Sequence, residues 1–192
     1  MGLHNGMWGK TLQTKSIKYN FILNNIRQLL NFLVPLIVFP YISRILGPES
    51  LGRVEFANSI TSYFVLFTAL GIPTYGVREI ARVRDDERLR SITVSELSLI
   101  LFIMVLAGYV VYFTAIGLIP KFRADYTLFL IVAPTIILSD FSYEWFFVGI
   151  ENQAYITIRY IIVKIIQIIL IFTLIHNANQ YHVYAAILIG MN

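Results

Sequence analysis

The 192-residue sequence contains no cysteine. That absence excludes disulfide frameworks, thiol nucleophiles and thiolate metal sites. Histidine is nearly as scarce: His4, His176 and His182 are scattered without metal-ligand spacing, so neither a metal nor a cofactor is expected. Charge is thin too. Only 14% of residues are Asp, Glu, Lys or Arg, against about 25% in an ordinary soluble domain. No Gly-rich phosphate loop, nucleophile elbow or HExxH pair occurs, which removes the commonest enzyme signatures. There is no Gly/Ser linker and no low-complexity tract.

What fills the chain instead is apolar. Hydrophobic residues make up 57% of it, and the mean hydropathy is +0.71. A small soluble globule must cover its core with polar side chains, so this composition predicts an integral membrane protein. The net charge is +4. In such a chain an excess of Lys and Arg marks cytoplasmic flanks and anionic-lipid contacts, not nucleic acid.

A spanning helix needs about 20 mostly apolar residues. Five windows satisfy this: Tyr19 to Ile45, Pro48 to Val77, Ser95 to Gly117, Tyr126 to Ile150, and Ile156 to His176. A sixth starts at Tyr181 and stops at Asn192, about 18 Å of helix against a core of about 30 Å. The expected class is therefore all-α, a polytopic transmembrane bundle of five complete helices and a truncated sixth. Residues 1–18 form a basic amino-terminal segment, and residues 19–192 a partial bundle. Leu46-Gly47-Pro48-Glu49 reads as a turn with Pro48 opening the next helix, Thr93 with Glu96 as a capping box for the third helix, and Ile119-Pro120-Lys121 as that helix's end. The first hydrophobic stretch is too long, and lacks the exit site, for a cleavable signal. With the amino terminus inside, Lys10, Lys15, Lys18, Arg78, Arg82, Arg84, Arg88 and Arg90 lie in the cytoplasm, and Arg44, Arg53, Lys121 and Arg123 outside. The positive-inside rule favours that orientation.

Ionisable groups inside a bilayer are costly, by about 2.5–3.5 kcal/mol each on insertion scales. Arg27, Asp140, Glu144 and Lys164 fall in such positions. Counting about 1.5 Å per residue from the inner ends places Arg27, Asp140 and Lys164 roughly 12–14 Å deep, with Glu144 a turn lower. Asp140 and Glu144 are spaced i, i+4 and would repel in a poorly hydrated site unless a cation sits between them or one holds a proton. Lys164 is within reach on the next helix. Polar stripes extend the layer: Asn20, Asn24, Arg27 and Asn31 on the first helix, Thr135, Ser139 and Ser142 on the fourth, and Thr157, Tyr160, Lys164 and Gln167 on the fifth. They face either a buried ion-pair network that fixes packing or a water-filled cavity. Gly71, Pro73 and Gly76 mark either a gating hinge or a plain helix end. The run REIARVRDDERLR, Arg78 to Arg90, reads as a solvated loop, with contact to an anionic lipid or a partner as the alternative.

The run FPYISRILGPESLGRVEFANSITSYFVLFTALGIPTYGVREIARVRDD, Phe39 to Asp86, resembles the amino-terminal signature of bacterial polysaccharide (O-antigen type) flippases, in the multidrug/oligosaccharidyl-lipid/polysaccharide exporter superfamily. So does the stretch with Glu144-Trp145-Phe146 and Tyr155-Ile156-Thr157-Ile158-Arg159. The resemblance implies two helical bundles around a central cavity that carry undecaprenyl-diphosphate-linked oligosaccharide across the bacterial cytoplasmic (inner) membrane by alternating access. It puts Arg27 and Arg53 at substrate-binding positions, with Lys164 added by depth and polarity; Asp140 and Glu144 would balance charge or take up a coupling ion. Such proteins have about a dozen or more helices. This sequence supplies five and a fraction, so it is expected to be inactive alone and to need a carboxy-terminal bundle or other polysaccharide-assembly proteins. A related multidrug or small-solute cation-coupled antiporter, a membrane enzyme acting on lipid-linked sugars, and a non-transporting scaffold are the alternatives.

Overall fold

A computed structural model describes residues 17–190 of the chain. Its first helix, α1 (Ile17–Ala69), includes Pro35, Pro40 and Pro48 and leaves the helical backbone angles at Gly47, where φ is 72° and ψ 169°. Only glycine enters that backbone region without strain, and Pro48, which follows at once, is preorganised to start a helix. A straight helix of 53 residues would be about 80 Å long, far more than the bilayer core of about 30 Å. The chain solves this by folding back. Arg27 reaches Glu144, while Thr68 lies against Asp140, so both ends of α1 return to one short segment. The two arms, residues 17–46 and 48–69, correspond to the first two expected spans, divided at the expected turn.

The remaining elements are α2 (Ile72–Val83), α3 (Glu87–Leu118), α4 (Pro120–Arg123), α5 (Tyr126–Val132), α6 (Pro134–Asp140), α7 (Glu144–Gly149), α8 (Gln153–Leu174), a 3-10 turn (Ala178–Gln180) and α9 (Tyr181–Gly190). There is no strand among the described residues. The second arm pairs antiparallel with α3, Thr61 meeting Tyr112 and Phe64 stacking edge-on against the same ring. The first arm runs alongside α8, with Thr157 donating to the Leu23 carbonyl and the Tyr41 hydroxyl to that of Ile175. One core, including Val38, Ile42, Val54, Tyr112, Phe129 and Ile171, ties the arms, α3, α5 and α8 together. A smaller cluster of Ile72, Ile80, Leu97, Leu101 and Trp145 joins α2, α3 and α7. Outward faces carry exposed Phe32, Leu36, Leu66, Phe67, Phe102, Leu106 and Ile162, a surface apolar enough to meet a bilayer.

Several expected boundaries shift. The second span ends at Ala69, not Val77, because Leu70 and Gly71 both take left-handed φ (46° and 73°) and turn the chain into the separate helix α2. The third helix opens at Glu87 with Asp86 as its cap, whose carboxylate accepts from the Leu89 amide at 3.0 Å. Thr93 is instead mid-helix and donates back to the Leu89 carbonyl. The Arg-rich segment is therefore largely helical, with a short turn at residues 84–86. The fourth span is broken into α5, α6 and α7. Four stretches, Phe21–Ala69, Glu87–Leu118, Tyr126–Gly149 and Gln153–Leu174, are long and apolar enough to cross a membrane; the expected count of five is recovered when the first is divided at Gly47. Most of the basic amino-terminal segment, residues 1–16 with Lys10 and Lys15, lies outside the described residues. So do Met191 and Asn192, where the sixth span reaches the end of the sequence.

Candidate functional site: a charged seam at a helix break

Between α6 and α7 the helix stops for three residues. Phe141 closes α6, and Tyr143 takes a left-handed φ of 51° before α7 begins at Glu144. A non-glycine residue in that region costs of order 1–3 kcal/mol and persists only where its surroundings hold it. Arg159, from the first turns of α8, donates to the freed Ser142 carbonyl at 3.2 Å, and the Tyr143 hydroxyl lies 3.2 Å from that of Ser98 on α3. The break is built in.

Its effect is to divide the two carboxylates. Asp140 and Glu144 are not an i, i+4 pair on one face, since no helix runs between them. Glu144 heads α7 and forms an ion pair with Arg27 of the first arm. The guanidinium side chain is 24% exposed and the carboxylate side chain 40%, so the pair sits at an open seam and not in a sealed core. Asp140 points elsewhere: it is 5% exposed, lies beside Thr68 of the second arm, and its Oδ2 has no hydrogen-bond partner. Lys164 reaches neither carboxylate. Its Nζ donates to Gln167 at 2.8 Å and lies 5.4 Å from the centre of the Tyr160 ring.

The polar stripes of the first arm and α8 do meet. The Tyr160 hydroxyl donates to the Asn31 side chain, and Thr157 bonds the Leu23 carbonyl. Arg27, Glu144, Asn31, Tyr160 and Lys164 thus mark a continuous polar face along the joint of α1, α7 and α8. Such a face in an apolar bundle avoids lipid and needs water, a ligand or further protein across from it.

Arg53 belongs to the opposite end of the molecule. It sits just past the Gly47 bend, bonded to Glu49 at 2.7 Å and 3.6 Å from Asp125. Of the three residues expected as a hinge, only Gly71 occupies a joint. Pro73 lies in the first turn of α2, where its missing N–H costs nothing. Gly76 is buried against Trp145, whose Cε3 would lie 2.6 Å from an added Cβ, so it is a packing glycine. Tyr143 and Asp125 carry no signal in the sequence, and Arg159 enters it only as the end of a stretch that resembles the family. Nothing in the spacing of Arg159 reports that its side chain crosses to a carbonyl 17 residues upstream.

Long apolar helices, lipid-ready outer faces and an internal polar seam define a multi-pass α-helical membrane protein. Residues 17–191 match the family described as Polysaccharide biosynthesis protein, and with nearly the whole chain included, the protein belongs to that family. Over 167 residues it is 25% identical to the "Putative O-antigen transporter" of Escherichia coli (strain K12), an alignment that covers 86% of this chain and 40% of that relative. The chain therefore spans less than half the relative's length. No solved structure matches it.

Proposed function

We propose that this chain is the amino-terminal part of a lipid-linked oligosaccharide flippase, a transporter and not an enzyme, that moves undecaprenyl-diphosphate-linked glycan across the bacterial cytoplasmic membrane. The observation that carries this reading is the Arg27–Glu144 pair at the open seam. A diphosphate entering the bilayer must have its charge neutralised, and an arginine offers a planar fork for it. Glu144 holds that fork while the site is empty, and the incoming diphosphate competes for it. Lys164, on the same polar face, supplies a second cation. Arg53, at the Gly47 bend, meets the head group on the far side. Asp140, buried with one free carboxylate oxygen, is the place for a coupling proton or sodium ion, and Gly71 is the joint that lets the second arm move. The amino terminus is cytoplasmic, and a second bundle or other polysaccharide-assembly proteins cover the polar face.

The test is binding of undecaprenyl diphosphate to the purified chain in nanodiscs. Losing a hydrogen bond to a charged group costs about 1.5–3 kcal/mol, so Arg27→Gln should weaken binding by about tenfold or more. Arg44→Gln, at an exposed position, should leave it unchanged. Wild-type affinity in Arg27→Gln, or equal affinity for undecaprenyl alcohol, would overturn the assignment.

A further inference from the structure

We propose that the exposed face of α2 is a binding surface for anionic phospholipid head groups. The helix has two unlike sides. Ile72, Gly76 and Ile80 are buried against α7 and α3, with a Cβ on Gly76 blocked by Trp145 and one on Gly149 standing 2.7 Å from Ile80. On the other side Tyr75, Arg78 and Arg82 follow i, i+3, i+7 and stand out into the surroundings, the two arginine side chains 74% and 67% exposed. Nearest-neighbour charge does not saturate them. Among the described residues Glu79 alone pairs with both, 3.6 Å from Arg78 and 3.2 Å from Arg82, with its own side chain 17% exposed.

The position of this face selects its occupant. The left-handed pair Leu70 and Gly71 turns the chain out of the second arm, where the bilayer-facing Leu66, Phe67 and Leu70 are exposed. On the other flank α3 returns with Leu89, Ile92 and Leu99 exposed. The stripe is thus bracketed by apolar surface on the side of the second arm and by a mixed surface on the side of α3, where Glu87, Arg88, Ser91 and Ser95 are exposed beside Leu89 and Ile92, at the level where lipid tails give way to head groups. An amphipathic helix there, with a tyrosine and two arginines outward, matches the interfacial pattern of aromatic and basic anchors. A soluble protein or nucleic acid would have to approach past the head groups themselves. Basic residues at such a surface contribute about 1 kcal/mol each toward an anionic membrane, which is about fivefold per arginine.

The absence of cysteine makes the test local. A bimane attached through Thr74→Cys, on the exposed start of α2, reports contact with lipids carrying a quencher high on the acyl chain, presented as phosphatidylglycerol or as phosphatidylcholine in nanodiscs. Phosphatidylglycerol should quench in preference by about fivefold or more. Arg78→Gln with Arg82→Gln should abolish the preference, Arg78→Lys with Arg82→Lys should keep most of it, and Arg44→Gln should leave it untouched. If the glutamine variant fails to fold, raising salt on the wild-type chain serves instead, and the preference should fall with ionic strength. Equal quenching by the two lipids, a preference that survives loss of both arginines, or one that is insensitive to salt would overturn the proposal. Removal of the preference by millimolar inorganic pyrophosphate at constant ionic strength would assign the surface to a soluble anion and overturn it equally.

Discussion

The contact between the second arm and α3 is tight enough to be tested with a single methyl group. Gly108 of α3 is buried directly against Thr68, and a Cβ on it would collide with the threonine methyl, while the Thr68 Cβ is 3.8 Å away. Overpacking a closed contact costs about 1–3 kcal/mol. In Gly108→Ala this loss is masked by a gain of about 1 kcal/mol, because alanine is the better helix former. The single variant can therefore look almost neutral. Thr68→Ser removes the colliding methyl and keeps the hydroxyl, which donates to the Phe64 carbonyl at 2.9 Å; alone it should cost about 1 kcal/mol of packing. In the double variant the alanine methyl fills the space vacated by the threonine methyl. The helix-propensity gain appears in both backgrounds and cancels in the cycle, while the overpacking and the lost packing are both relieved in the double variant, which leaves a coupling energy of about 2–4 kcal/mol toward rescue. Reversible unfolding in mixed micelles, followed by circular dichroism for all four chains, measures it. A coupling energy within about 0.5 kcal/mol of zero would show that the helices separate to admit the methyl, and the close seam would be refuted.

Two further outcomes follow from the backbone and the charged seam. Gly47→Ala should destabilise by about 1–3 kcal/mol although an added Cβ would meet nothing within 4 Å, since only the backbone angle resists it; Gly52→Ala, equally open but helical, should be neutral or slightly stabilising in the same unfolding assay. Arg27→Gln should lower the midpoint of unfolding by stranding Glu144, and adding Glu144→Gln should recover most of it, because a neutral pair leaves no unpartnered charge; a double variant no more stable than Arg27→Gln would mean that the pair is not formed.

Composition and the 20-residue apolar windows were enough to give the all-α membrane class and the rough course of the spans, because a chain of this hydropathy has few other ways to satisfy its backbone in lipid, but not the separate helix α2 or the division of the fourth span into α5, α6 and α7. Gly47-Pro48 also announced the fold-back, each residue being suited to one side of the turn. Asp140 and Glu144 show where such reading stops. An i, i+4 spacing puts two carboxylates on one face only if a helix connects them, and the break at residues 141–143 is held by Arg159 and Ser98 from other helices. Phe141, Ser142 and Tyr143 carry no glycine or proline to announce it. The same holds for α2: its charges read as a solvated loop, while Ile72, Gly76 and Ile80 form a buried stripe that becomes visible only against Trp145. The side of the helix, and hence the partner of Arg27, was not recoverable by counting residues.

The packing of α2 on α7 has a mechanical meaning. Gly76 against Trp145, Gly149 against Ile80, and Arg84 bonded to Glu151 at 2.6 Å clamp two short helices into one stiff body. Its ends are left-handed joints, at Leu70 and Gly71 on one side and at Tyr143 on the other. Glu144 is the first residue of that body. The Arg27–Glu144 ion pair therefore fastens the first arm to a body whose other helix is the arginine-bearing α2.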